Sequence, residues 1–258
     1  MDQQSTGSSQ PIDTTPFHHE GADDVGVLVC HGFTGSPHSV RPWARHLAQQ
    51  GWSVSLPLLP GHGTDWRDCN RTNWRDWYST VDTAFQRLRE RCERVFVCGL
   101  SMGGTLALRL AEEHGSEVAG IVLVNPAVAM LRWDTRFLPV LARVVPSVAA
   151  IGNDIAKPGI LEGAYDRTPV KAAASLRRFQ NLVRADLSKV TQPLVLLHSA
   201  QDHVVEPVNS AMVLSGVAST DVREIVLNES YHVATLDHEA PLIFDTTVEF
   251  IKRLSQRP

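Results

Sequence analysis

Four cysteines in 258 residues are too few, and too irregularly spaced, for a disulfide framework. Cys30 and Cys98 each sit inside an apolar run and read as small buried hydrophobes in reduced form. An excess of one charge is missing too. With 24 basic and 28 acidic residues the formal net charge is -4, so neither nucleic acid nor an anionic membrane surface is expected as the main partner. No apolar run is long enough to cross a bilayer; the most apolar later stretch, 137–152, is broken by Pro139, Arg143 and Pro146. The first residues, MDQQSTGSSQP, have neither a basic start nor an apolar centre, so no secretion signal is expected and the reading is cytoplasmic. There is no H-E-x-x-H and no paired-cysteine spacing, and the adjacent His18–His19 rarely aim at one ion, so no metal is expected. PGHGT holds a G-x-G without a following helix, which leaves a nucleotide fingerprint unsupported and no cofactor implied. Internal repeats and low-complexity segments are absent.

What the chain does have is alternation. VGVLVC (25–30) is apolar throughout, as a strand covered on both faces requires. A helical spacing follows over 42–50, closed by Gly51, then a strand and a Pro/Gly loop in WSVSLPLLPGHG (52–63). Residues 74–91 form a long amphipathic pattern with Val81, Phe85 and Leu88 on one face. A strand at VFVCG, a helix over 102–114 and a strand over 118–124 continue the series. After an interruption it resumes with LVLLHS (194–199), a helix near 207–215, REIVL (223–227) and a terminal helix over about 239–254. Strands alternating with helices predict a mostly parallel α/β sheet with helices on both faces. The interruption, 126–188, shows no clear strand and reads as a cap inserted between core segments 21–125 and 189–258. Residues 1–20 read as a flexible tail, with Pro16 and Phe17 able to pack on the body.

The chemistry concentrates where the third strand ends. VFVCGLSMGG runs from apolar strand through G-x-S-x-G directly into a helix, the setting of a nucleophile elbow. A sharp turn there would project the Ser101 hydroxyl, and side chains at 99 or 103 would collide with neighbouring backbone. A projecting serine needs a base, and the base an orienting acid. Asp202 falls just after LVLLHS, and His232 in the loop after the next strand. Of eleven histidines, His232 alone has both the right order and the right position. An oxyanion hole needs two backbone N–H groups. Met102, after the serine, supplies one; HGFTG (31–35), after the first buried strand, supplies the other through Phe33.

At this point the chain resembles the bacterial monoacylglycerol lipases and their carboxylesterase relatives, within the α/β-hydrolase superfamily. VLVCHGFTGSPHSV, LPLLPGHGT, GLSMGG, DHVV and NESYHVATLD carry the resemblance, which spans 25–254. It implies an α/β-hydrolase fold with an inserted cap, Ser101, Asp202 and His232 as the triad, and Phe33 and Met102 N–H groups as the oxyanion hole. The cap stretch IGNDIAKPGILEGAY (151–165) is similar as well. There the resemblance implies Glu162 as a ligand of the glycerol hydroxyls and Ile151 as a lining residue of the alcohol pocket. Trp66, Trp74 and Trp77 suit an acyl channel or, better, burial against the sheet.

The expected activity is hydrolysis of monoacylglycerols to glycerol and fatty acid through an acyl-enzyme. The partner is a small lipid ester, with transient contact of the cap at a membrane or micelle; the pattern separates no monomer from a dimer. Alternatives stay open: a broad short-chain carboxylesterase, a thioesterase, a cofactor-free haloperoxidase, and, in another class, a non-catalytic ligand-binding module on the same scaffold. Serine at 101 disfavours the aspartate-nucleophile dehalogenases.

Overall fold

Runs with no polar alternation must be covered on both sides, and the chain provides that cover. The computed structural model describes residues 11–131, 138–150 and 152–255. Its strands are β1 (Phe17–His19), β2 (Val25–Cys30), β3 (Ser53–Leu56), β4 (Arg94–Leu100), β5 (Val118–Val124), β6 (Ser147–Ala149), β7 (Arg167–Pro169), β8 (Leu194–Ser199) and β9 (Val222–Leu227). Its helices are α1 (Arg41–Ala48), α2 (Trp66–Cys69), α3 (Trp74–Arg89), α4 (Met102–His114), α5 (Leu138–Leu141), α6 (Val170–Asp186), α7 (Val208–Gly216) and α8 (Ala240–Ser255). Seven strands form one sheet in the order β1-β3-β2-β4-β5-β8-β9, parallel except for β1. The expected architecture is the observed one.

Two apolar layers sandwich the sheet. On one face Leu28, Val95, Val97, Ile121 and Leu196 pack with Phe85 of α3, Leu106 and Leu110 of α4, and Phe179 of α6. On the other, Val27, Val29, Phe96, Val122 and Val195 pack with Trp43 and Leu47 of α1 and Phe250 and Ile251 of α8. Helix starts follow local chemistry: Asn73 and Asp76 form a capping box at α3, and the Asp65 side chain accepts from the Arg67 N–H at α2. All four cysteines are free and buried. Burial pushes the Cys69 thiol up to about 12 and holds the Cys98 thiol well above its ordinary value, so neither is a ready nucleophile.

Three expectations need revision. Residues 11–20, read as part of a loose tail, are tied to the body: β1 pairs antiparallel with β3, and the Asp13 carboxylate pairs with the buried Arg41 guanidinium at 3.2 Å. A three-residue polar edge strand has too little periodicity to be seen in sequence. The interruption, read as strandless, contains the antiparallel ribbon β6–β7. Helix α6 within it lies against α4, and its Ala172, Leu176, Phe179 and Val183 belong to the sheet's own apolar layer. We therefore propose 126–169 as the cap and α6 as a helix of the core.

Candidate active site

Parallel strands deliver their carboxyl ends to one edge, and the four loops after β4, β5, β8 and β9 lie side by side there. Ser101 follows β4 with φ 57° and ψ −118°, a conformation costly for a residue with a Cβ. Main-chain bonds hold it: its N–H donates to Val124 O at 3.0 Å, and its C=O accepts from Gly104, Thr105 and Ala127. A methyl group at 99 would overlap Gly103 O, and one at 103 would overlap Cys30 O. Both glycines let α4 start hard against the sheet, as the G-x-S-x-G spacing predicts.

Asp202 and His232 meet beside this turn. His232 Nδ1 and Asp202 Oδ2 are 2.7 Å apart, and both side chains are nearly closed to solvent. The other carboxylate oxygen, Oδ1, accepts the N–H groups of Val204 and Val205 at 2.8 and 2.7 Å. With one oxygen held by its own loop, the other is aimed at the imidazole. Burial alone would lower the His232 pKa; the hydrogen bond and charge of Asp202, with Glu162 and Asp154, outweigh it and raise the value. A buried imidazole that keeps its affinity for a proton is suited to taking one from a neighbouring hydroxyl.

HGFTG turns tightly beside the serine, with Thr34 at φ 61°. A Cβ on Gly32 would stand 3.4 Å from Ser101 Cβ, so this loop runs close past the elbow. Among the described residues neither the Phe33 nor the Met102 N–H donates to a protein acceptor. An aromatic floor supports Phe33: Trp77 at 5.8 Å and His62 at 6.1 Å between ring centroids, with His31 packed edge-on to His62. Trp77 is wholly buried here, and Trp74 stacks on Phe179, so these two serve packing. Burial lowers His31 to about 3 and His62 to about 4. Both therefore stay neutral around pH 7. His31 bridges Gly32 O and Leu59 N–H through its two nitrogens, which ties the candidate oxyanion loop to the loop after β3.

The cap contributes Glu162. The residue is 9% exposed, and its Oε1 lies 3.2 Å from where a Cβ on Gly35 would stand. Asn153, itself at φ 59°, holds it by a reciprocal pair: Asn153 N–H to Glu162 Oε2 at 3.3 Å and Glu162 N–H to Asn153 Oδ1 at 2.7 Å. Burial raises the Glu162 pKa, while His232 and the Asn153 amide pull it back. Ile151, expected to line the alcohol pocket, lies outside the described residues. Tyr165 closes the segment, donating its N–H to Thr34 O at 3.3 Å and its hydroxyl to Gly61 O at 2.7 Å.

Sequence reading missed Asn125. At φ 45° after β5, its side chain donates to His232 O at 2.7 Å and accepts from Ser199 N–H at 2.7 Å, joining three of the four loops. A polar residue ending a wholly apolar strand was the available signal. No group of three His, Cys, Asp or Glu among the described residues is placed to hold a metal ion. The arrangement can activate a hydroxyl and receive an oxyanion, the two requirements of acyl transfer.

Known proteins point the same way. The model of the Alpha/beta hydrolase family matches residues 27–243. The thermostable monoacylglycerol lipase of Bacillus sp. (strain H-257) is 41% identical over 243 residues, covering 92% of this chain and 94% of that protein. A carboxylesterase of Bacillus subtilis (strain 168) is 27% identical over 93% of this chain and 96% of its own. Among solved structures, one from the metagenome-derived lipolytic enzymes LipS and LipT superposes with a TM-score of 0.90 at 37% identity, covering 93% and 98%. A monoacylglycerol lipase of Paleococcus ferrophilus, at 18% identity and a TM-score of 0.77 over 94% and 100%, shares the fold.

Proposed function

The chain belongs to the alpha/beta hydrolase family, and we propose that it is a serine ester hydrolase that cleaves monoacylglycerols to glycerol and free fatty acid. The observation that carries the substrate choice is Glu162, a buried carboxylate beside the loop of the candidate oxyanion donor. An acceptor buried in this way favours a leaving group that brings hydroxyls, because its lost hydration is otherwise uncompensated. The 41% identity to a monoacylglycerol lipase along nearly its whole length supports the same reading.

In the proposed mechanism Ser101 Oγ attacks the ester carbonyl as His232 Nε2 takes its proton. Asp202 holds the imidazole through Nδ1, fixes its tautomer and stabilises the imidazolium. The Phe33 and Met102 N–H groups receive the oxyanion. His232 then protonates glycerol as the carbon–oxygen bond breaks, leaving the acyl chain on Ser101. Water, deprotonated by His232, attacks the acyl-enzyme, and collapse returns the proton to Ser101 and frees the fatty acid.

Initial rates on matched mono-, di- and triacylglycerols and a short p-nitrophenyl ester test this, with Ser101→Ala as the blank. The expected order puts the monoacylglycerol far ahead. Equal rates on monoacylglycerol and simple ester would reduce the enzyme to a general carboxylesterase. No Ser101-dependent turnover on any of them would favour a ligand-binding module.

We further propose the cytoplasm as its location and a transient meeting of the cap with lipid surfaces. No helix among the described residues is long and apolar enough to cross a membrane.

A further inference from the structure

The residue beside Asn153 faces the other way. Asp154 sits in the cap, yet among the described residues its side-chain hydrogen bonds go to the loops that carry the candidate acid and base. Its Oδ2 accepts the main-chain N–H of His232 at 3.1 Å and that of His203, next to Asp202, also at 3.1 Å. Its Oδ1 lies 2.8 Å from His203 Nδ1, and its backbone C=O accepts the Val233 N–H at 3.1 Å. The side chain is 11% exposed. One carboxylate oxygen therefore joins the amide of the candidate base to the amide following the candidate acid.

The lacing is returned from the opposite side. Asp237, four residues beyond Val233 and 2% exposed, accepts Ala156 N–H at 2.7 Å and Tyr231 N–H at 2.9 Å on Oδ2. Its Oδ1 takes Lys157 N–H at 2.9 Å and His238 N–H at 2.8 Å. Residues 154–157 and 231–237 thus exchange buried carboxylates, each satisfying several amides that would otherwise be left unpaired. A carboxylate suits this because its two oxygens offer about four acceptor sites and no donor.

We propose that Asp154 is a positioning residue of the reaction: from the cap, it sets the spacing of the Asp202 and His232 loops by bridging their backbones. The direct link between those loops at the reacting atoms is one hydrogen bond, His232 Nδ1 to Asp202 Oδ2, which fixes a distance but not the pitch of the imidazole toward Ser101. Holding the His232 and His203 amides on one oxygen adds a second backbone constraint to the one Asn125 places on the His232 carbonyl. The root of the cap is then part of the catalytic frame, and through Asn153 the same two-residue step also holds Glu162. Substrate-binding group and base are set from one piece of chain.

The proposal rests on the Ser101–His232–Asp202 reading, and its test keeps the two apart. Steady-state kinetics on p-nitrophenyl butyrate, which carries no glycerol for Glu162, are measured for wild type, Ser101→Ala, Asp154→Ala and Asp154→Asn, with Tm for each. Misplacing a catalytic group by about 1 Å costs on the order of 10²-fold, so Asp154→Ala is expected to lose kcat by that order with KM little changed. Asp154→Asn keeps an oxygen for both amides and is expected to restore kcat to within about threefold of wild type. A residue that only shaped the cap would instead leave kcat on the short ester unchanged; that result overturns the proposal. So does an Asn variant as slow as the Ala variant. Asp154→Leu, with the same branching and no acceptor, replaces Ala if Ala does not fold, with the same expectation. Failure of both to fold would make Asp154 a folding residue and end the proposal. Absence of Ser101-dependent turnover in the wild type would bring down the underlying reading and this one together; unchanged kcat in Asp154→Ala beside an inactive Ser101→Ala would bring down this one only.

Discussion

The two sides of the candidate site are built by different physics. Its floor, the Ser101 elbow, is held by strand apolar packing, main-chain hydrogen bonds and two glycines that admit no side chain. Its roof, 153–165, is held by buried carboxylates, an asparagine in a left-handed conformation and a tyrosine hydroxyl. Apolar packing is non-directional and tolerates change; polar lacing is directional and costly when one partner is lost. In this account the floor does the chemistry shared by all esters, and the roof chooses the alcohol.

Changes to the floor and its relay should be the largest, and blind to the alcohol. Ser101→Ala is expected to lower kcat by about 10⁶-fold on every substrate. A near-wild-type rate in the purified variant, on either ester, would break the comparison at its base. Asp202→Asn should cost about 10⁴-fold. It should also move the acid limb of the kcat/KM profile. Rate falls as pH drops through the His232 pKa, because imidazolium cannot accept a proton. Asp202 raises that pKa, so its loss should shift the limb to lower pH. A limb that stayed in place would mean another group sets it. Gly103→Ala should act on stability, since the added methyl overlaps Cys30 O in a sheet that cannot yield. Overpacking of this kind costs about 1–3 kcal/mol or more, read as a drop in Tm. An unchanged Tm would mean the elbow is looser than described.

The smallest effect sharpens the contrast from a region outside both. Glu112, on α4, is buried with Oε2 3.0 Å from Arg109 Nη1 and, among the described residues, no partner for Oε1. Burial outweighs the arginine and pushes its pKa up to about 8. A carboxyl whose folded pKa lies above its ordinary value gives stability that is full below the ordinary value and lost as pH rises through about 8. Glu112→Gln should flatten that slope, so that its Tm falls less than that of the wild type between about pH 5 and 8, with activity untouched. Parallel Tm–pH curves for the two proteins would refute it.

The same division explains what could be read from the residues. Strands β2, β5 and β8 and helix α4 fall where the sequence puts them, because each is an unbroken apolar run or a run bounded by glycine. Ser101, Asp202 and His232 were legible as candidates because each falls at or shortly after the end of a strand, in chain order. Strand β1 was not, being three residues with a polar pair, and neither was the ribbon β6–β7. The assignment of α6 to the core was hidden because its alanine-rich face, Ala172 to Leu176, gives a weak periodic signal. Asn125 could have been found at the end of its apolar strand, but Asp154 and Asp237 could not. Their partners across the site lie 49 to 81 residues away, and a lone Asp in a loop has no local pattern to mark such a bond.

The central claim, that the roof selects glycerol while the floor reacts, is tested most directly by Glu162→Gln. kcat/KM is measured side by side on a monoacylglycerol and on p-nitrophenyl butyrate. Losing the charge from a hydrogen-bonded acceptor predicts a fall of about tenfold on the monoacylglycerol and little change on the simple ester. Equal losses on both would contradict it, because Glu162 would then serve His232 and not the alcohol.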